Sequence, residues 1–164
     1  MRLTNDQKTT IEHFRKRPGM LVAGKDGSNP GDDIYTIIRS TLDYASAESG
    51  QEVDLKLVDG TVCLRVYGSG KESEDELSRV IFGPHLQYGR MDTESYVKMH
   101  RMTYYTDYPI YFINILSERF RFMSFMNGRF TSVNCRKGLP AGIEEGFTTE
   151  KDGVEISFMQ EKKC

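Results

Sequence analysis

Apolar and polar positions along the first half of the chain follow two periods. Ile11 and Phe14 come after Thr4-Asn5-Asp6-Gln7, in which a hydroxyl is followed three residues later by an amide, the spacing of a capping box. The pattern predicts a helix that runs to about Arg17 and stops at Pro18-Gly19. After the loop KDGSNPGDD, the residues Ile34, Ile37, Ile38, Leu42 and Ala45 recur at intervals of three and four and predict an amphipathic helix with one apolar stripe. The period then changes to two. Val53, Leu55 and Leu57 alternate with polar residues, Asp59-Gly60 supplies a tight turn, and Val62, Leu64 and Val66 resume the alternation, so a hairpin with one buried face is expected.

Leu77, Val80 and Ile81 suggest a short helix, whereas the stretch from Gly83 to Pro109 holds turn residues and tyrosines without a clear period and reads mostly as loop. Ile110, Ile113 and Leu116, with Phe112 beside them, predict a short apolar helix. FRFMSFM, Asn127-Gly128 and RFTSVNCR predict a second hairpin, and VEISFMQ after Asp152-Gly153 a last strand. Helices early, hairpins in the middle and at the end, and helices between them imply an α+β, two-layer sandwich: a mostly antiparallel mixed sheet with helices on one face.

Composition narrows the picture further. A chain of 164 residues, 38% of them hydrophobic, is long enough for one ordinary core, so residues 1 to 164 are expected to form a single domain. With 22 Lys and Arg against 24 Asp and Glu, the net charge of -2 provides no overall positive field for nucleic acid or anionic lipid. The polar opening MRLTNDQKTT lacks the apolar core of a secretion signal, and no later run approaches membrane-spanning length; a soluble, cytoplasmic protein is expected. Cys63, Cys135 and Cys164 are odd in number and far apart, which favours reduced thiols over a disulfide framework or a metal site. His13, His85 and His100 add no ligand cluster, and the acidic run from Glu72 to Glu76 reads as a solvated helix face.

Several segments, taken in order, resemble the ATPase domain of the type IIA DNA topoisomerase B subunits, the gyrase B and topoisomerase IV group within the GHKL ATPases. FRKRPGM before the stripe helix is similar to the family opening VRKRPGMYIG, and IYTIIRSTLDYA stands against a family pattern near VYEVVDNSIDEA. VDLKLVDGTVCLRVYGSG stands against a hairpin that ends in DDGRG. NILSERFRFMSFMNGRF resembles the family's NALS helix, the strand after it and its EGK turn, and TTEKDGVEISF resembles the TEKTGT strand that closes the nucleotide site. Most of the chain aligns in this way, apart from the loop around residues 84 to 108. The resemblance implies the two-layer GHKL, or Bergerat-type, sandwich, without the transducer and toprim domains of the full family members.

The family's active-site residues do not carry over. On the stripe helix, its water-activating Glu corresponds to Thr36 and its magnesium-holding Asn to Ser40. A threonine hydroxyl is a poor base at neutral pH, and loss of a general base costs about a hundred- to ten-thousand-fold in rate. The Asp that reads the adenine amine corresponds to Val66, which leaves that amine without an acceptor. Gly68 and Gly70 survive as YGSG, as strand-end turns commonly require, but Ser69 replaces the Arg between them. Val154 stands for a threonine of the adenine network, and Met126 falls where a basic residue is common. The glycine-rich phosphate cradle GGLHGVG corresponds to the segment from Thr103 to Pro109, which has no glycine, two adjacent tyrosines and Asp107. No Gly-x-Gly-x-x-Gly or Walker-type lysine motif occurs elsewhere.

These departures predict a pseudo-ATPase scaffold: not an enzyme, with no cofactor or metal, acting by self-association or on a protein partner such as a topoisomerase subunit. Tyr104, Tyr105 and Tyr108 form the candidate partner surface, since aromatics are enriched at interface centres. One alternative is a divergent topoisomerase B-like ATPase in which Asp33 or Asp43 takes over as base. Another is a binding module for an uncharged small molecule in the pocket behind Val66 and Val154.

Overall fold

A computed structural model of the protein describes residues 1–16, 52–68, 70–71, 73–82 and 108–160. Helix α1 (Asn5–Lys16) opens with the predicted capping box in both directions. The Gln7 amide N–H donates to Thr4 Oγ1 at 3.1 Å, and Gln7 Oε1 accepts from the Thr4 amide at 3.0 Å. Two donors that the first helical turn would leave orphaned are thereby satisfied. The predicted stop at Pro18-Gly19 and the stripe helix around residues 34–45 lie outside the described residues.

Strands β1 (Val53–Val58) and β2 (Thr61–Tyr67) form the first hairpin about Asp59-Gly60, whose φ values of 49° and 77° are those of a two-residue turn matched to strand twist. Helix α2 (Glu74–Phe82) is capped by Ser73, whose Oγ accepts from the Glu76 amide at 3.1 Å. Helix α3 (Tyr108–Leu116) is apolar along most of its length, with Ile110, Tyr111, Ile113 and Ile115 all buried. Strands β3 (Ser117–Met126), β4 (Arg129–Arg136), β5 (Leu139–Phe147) and β6 (Gly153–Gln160) complete a six-stranded sheet in the order β1-β2-β6-β3-β4-β5.

Period two decides which face each strand buries. Val62, Leu64 and Val66 pair with Phe158, Ile156 and Val154, and Phe120 and Phe122 continue the row on β3. These side chains share one core with Ile11 and Phe14 of α1, with Leu77, Val80 and Ile81 of α2, and with Ile110 and Ile113 of α3. The helices therefore cover one face of the sheet, as the α+β expectation required.

Three expectations need correction. Every ladder among the described residues is antiparallel, so the mixed character expected of the sheet is not observed there. The apolar row of β1 joins the core only at Val53: Leu55 is 46% and Leu57 73% exposed, although their cross-strand partners Leu64 and Val62 are buried. Finally, β5 has no counterpart in the predicted elements. It follows a third two-residue turn, Lys137-Gly138, with φ values of 51° and 79°, and its sequence LPAGIEEGF mixes proline and glycine with charge. Such a composition is tolerated because β5 is an edge strand. Opposite Gly146, the ring of Phe130 occupies the space that a side chain would need.

Asn114 and Ser117 of the NILS segment serve the fold. Asn114 is fully buried and its Nδ2 donates to the carbonyls of Ile81 and Gly138, which ties α3 to the end of α2 and to the β4–β5 turn. Ser117 Oγ donates back to the Ile113 carbonyl. Arg15 of α1 donates to the carbonyls of Ile115 and Ser117 at 2.6 and 3.0 Å, satisfying acceptors where α3 ends.

Candidate functional site

The described positions of the predicted nucleotide pocket converge on one corner of the sheet, where β2 ends, β6 begins and β3 ends. Val66 and Val154 are directly opposed on the helix-covered face and are 3% and 2% exposed. Ser124 of β3 lies opposite Val154 in the same row. Its Oγ accepts from the Lys71 amide at 2.6 Å and donates to the Lys71 carbonyl at 3.0 Å, so the hydroxyl is committed to the chain that leaves β2. Neither valine offers an acceptor to a buried amine, and unpaired burial of such a donor costs about 1–3 kcal/mol.

The glycines of this corner have packing reasons of their own. Gly68 sits at φ 148° and its N–H donates to the Asp152 carbonyl at 3.0 Å. A Cβ at Gly70 would collide with the Phe125 carbonyl and approach Ser124 Oγ to 2.8 Å. Gly153, at φ 147°, lets β6 start directly beside the Val66 carbonyl, where a Cβ would not fit. Asp152 locks the corner from both ends, because its Oδ1 also accepts from the Asn127 amide at 2.9 Å. Sequence reasoning took Asp152 only as a turn signal; its bridging role depends on strands that are adjacent in space and distant in sequence.

Thr36 and Ser40 lie outside the described residues, as do Asp33, Asp43, Ser69, Tyr104, Tyr105 and the rest of the segment corresponding to the phosphate cradle up to Asp107. Tyr108 begins α3, but its side chain is not among those described. Tyr111 is a core residue, 3% exposed.

On the opposite face, which no described helix covers, lies a groove of about 370 Å³, lined by residues of β1, β2, β3, β4 and β6 and by Thr148 and Glu150. Its floor is Arg65, 7% exposed, whose guanidinium lies 4.0 Å from the centroid of Phe125 and 4.8 Å from that of Tyr67. Two aromatic faces stabilise the cation where water is scarce. Arg65 Nη2 donates to the Lys151 carbonyl, while Nη1 is buried without an acceptor among the described residues. Tyr67 Oη donates to Asp54 Oδ2 at 3.2 Å; desolvation first, and then the neighbouring carboxylate, raises the phenol above its ordinary pKa. Asp54, Glu150 and Glu155 line the same groove as Lys56 and Arg65, so its charge is mixed and does not favour a polyphosphate. The sequence held no period or motif for this cluster; alternation alone would have placed Cys63, Arg65 and Tyr67 on one face.

Among the described residues no group of three His, Cys, Asp or Glu is arranged to hold a metal ion. No described helix is long and apolar enough to cross a membrane.

No protein-family profile matches the chain. It is 26% identical over 171 aligned positions to the B subunit of DNA topoisomerase 4 from Borreliella burgdorferi, a similarity that covers 94% of this chain and 26% of that protein. The chain thus spans about a quarter of the length of that curated relative. Identity at this level supports a distant relation to topoisomerase B subunits.

Proposed function

We propose that the chain is a GHKL-like pseudo-ATPase scaffold that acts through protein contacts and neither binds nor hydrolyses ATP. The observation that carries the reading is the corner of the sheet just described. Val66 and Val154 face each other there, buried and without an acceptor, and the neighbouring hydroxyl of Ser124 is engaged with Lys71. The sequence adds Thr36 and Ser40 for a base and a metal ligand, and a glycine-free, tyrosine-rich segment for the phosphate cradle. Losses in base recognition, metal binding and phosphate binding concern one ligand, so they reinforce each other.

The distant relation to a topoisomerase B subunit supports the scaffold half of the proposal: a shape derived from such a protein, used to contact one or to regulate it. In the cell this would operate in the cytoplasm, with no direct contact to nucleic acid, as the net charge of -2 favours.

A ligand that binds only the folded state stabilises it by mass action, by about 2.7 kcal/mol at a free concentration about a hundred times Kd, and so raises the melting temperature. Millimolar ATP with magnesium is therefore expected to leave Tm unchanged. A rise of several degrees, abolished by omitting magnesium, would identify a working nucleotide site and overturn the proposal.

A further inference from the structure

The outer edge of β1 holds a pattern that the nucleotide question leaves unexplained. β1 ends the sheet, and no described strand pairs with its far side. In the β1–β2 ladder the Tyr67 amide donates to the Glu52 carbonyl at 3.0 Å. Backbone groups alternate in direction along an antiparallel strand, so Glu52, Asp54, Lys56 and Val58 turn theirs toward β2. Val53, Leu55 and Leu57 turn theirs outward. The same three residues carry the apolar row on the helix side of the strand, where Leu55 and Leu57 are 46% and 73% exposed.

Natural edge strands are commonly protected by a central lysine, which makes pairing with an arbitrary strand unfavourable. Lys56 is such a residue, with one exception built into its surroundings: the sequence VDLKLV is complementary to itself when reversed about Leu55. We propose that β1 pairs antiparallel with β1 of a second copy of this chain about a two-fold axis through Leu55, continuing the sheet from one protomer into the other. In that register Leu55 faces the partner's Leu55, and Val53 faces the partner's Leu57. These are the residues whose backbone groups point outward, so each pair exchanges N–H···O=C bonds in both directions. Their side chains share one face and cover each other, which accounts for the two leucines, Leu55 and Leu57, that the protomer alone leaves exposed.

On the other face, Asp54 lies opposite the partner's Lys56, and Lys56 opposite the partner's Asp54. Shifting the axis to Asp54 places two aspartates opposite each other, and shifting it to Lys56 places two lysines there; like charges directly opposed destabilise a strand pair. A shift by half that step changes the parity and sets outward-pointing groups against inward-pointing ones. Charge, backbone direction and the apolar row thus select the same register. Because all contacts come from one short strand, the interface is smaller than the roughly 1,600 Å² of a standard stable complex, and the dimer forms reversibly with concentration.

The inference names the partner in the interaction half of the proposed function and rests on that half. It is independent of the nucleotide half, so a failed dimer would leave the thermal result untouched. Sedimentation velocity from micromolar to millimolar protein tests it on the wild type, Lys56→Asp, Asp54→Lys and the double variant carrying both changes. Both side chains lie on an exposed strand, and circular dichroism checks that each variant is folded. The wild type is expected to dimerise, each single variant to lose at least tenfold in association, and the double variant to regain it because the charges are again opposed. A wild type monomeric throughout the range, single variants that associate as the wild type does, or a double variant as weak as the singles would each overturn the inference.

Discussion

At the scale of single residues, burial and register assign roles that residue type alone does not. Cys135 is the plainest case: it is 4% exposed in the core, and burial pushes its thiol well above the ordinary range. The folded thiol keeps its proton where the unfolded one ionises. Its contribution to stability is therefore complete below the unfolded value of about pH 8.5 and is lost as pH rises beyond it. Iodoacetamide is expected to modify the half-buried Cys63 in the native protein and to reach Cys135 only when urea unfolds it. Equal rates at the two thiols under native conditions would contradict this. The sequence supported reduced thiols from the count and spacing of cysteines, but not which would be reactive. That depends on Cys135 lying opposite Phe120 on the covered face, a fact of strand pairing. Arg65 teaches the same lesson, since only the sheet brings Phe125 beneath its guanidinium.

At the scale of elements, the sequence was legible wherever local period and turn chemistry agreed. Thr4 and Gln7 specified the start of α1, and Asp59-Gly60 and Asn127-Gly128 specified two hairpins that the backbone φ values bear out. β5 escaped because Lys137-Gly138 is a weaker turn signal than Asn-Gly and because Pro140, Gly142 and Gly146 interrupt the alternation. The burial of Leu55 and Leu57 was misjudged for a different reason: alternation shows which residues share a face, but not how far another element covers that face. The corner joining β2 to β6 offers a test at this scale. Gly153→Ala would force a Cβ against the Val66 carbonyl at a backbone conformation that alanine rarely adopts. A loss of about 2 kcal/mol in urea denaturation is expected. A change within about 0.5 kcal/mol, the range usual for neutral surface substitutions, would mean that the strands separate there at little cost.

For the molecule as a whole, an antiparallel sheet covered on one face by helices joins two surfaces of opposite character. The covered face carries the corner where Val66 and Val154 are paired and the Ser124 hydroxyl is bonded to Lys71. The open face and the β1 edge carry charge and exposed apolar side chains. Fold class was accessible from element order, whereas the site is a proposal drawn from departures from a resembled pattern. Thr36, Ser40, Tyr104 and Tyr105 remain readings of sequence, because they lie outside the described residues. The proposed reading, contact in place of catalysis, rests on the buried valine pair at the described corner and on the self-complementary register of the β1 edge.

The most direct test of that account is isothermal titration of the protein with a non-hydrolysable ATP analogue in the presence of magnesium. The account predicts no saturable heat up to millimolar analogue; a saturable isotherm with micromolar Kd that is lost without magnesium would contradict it.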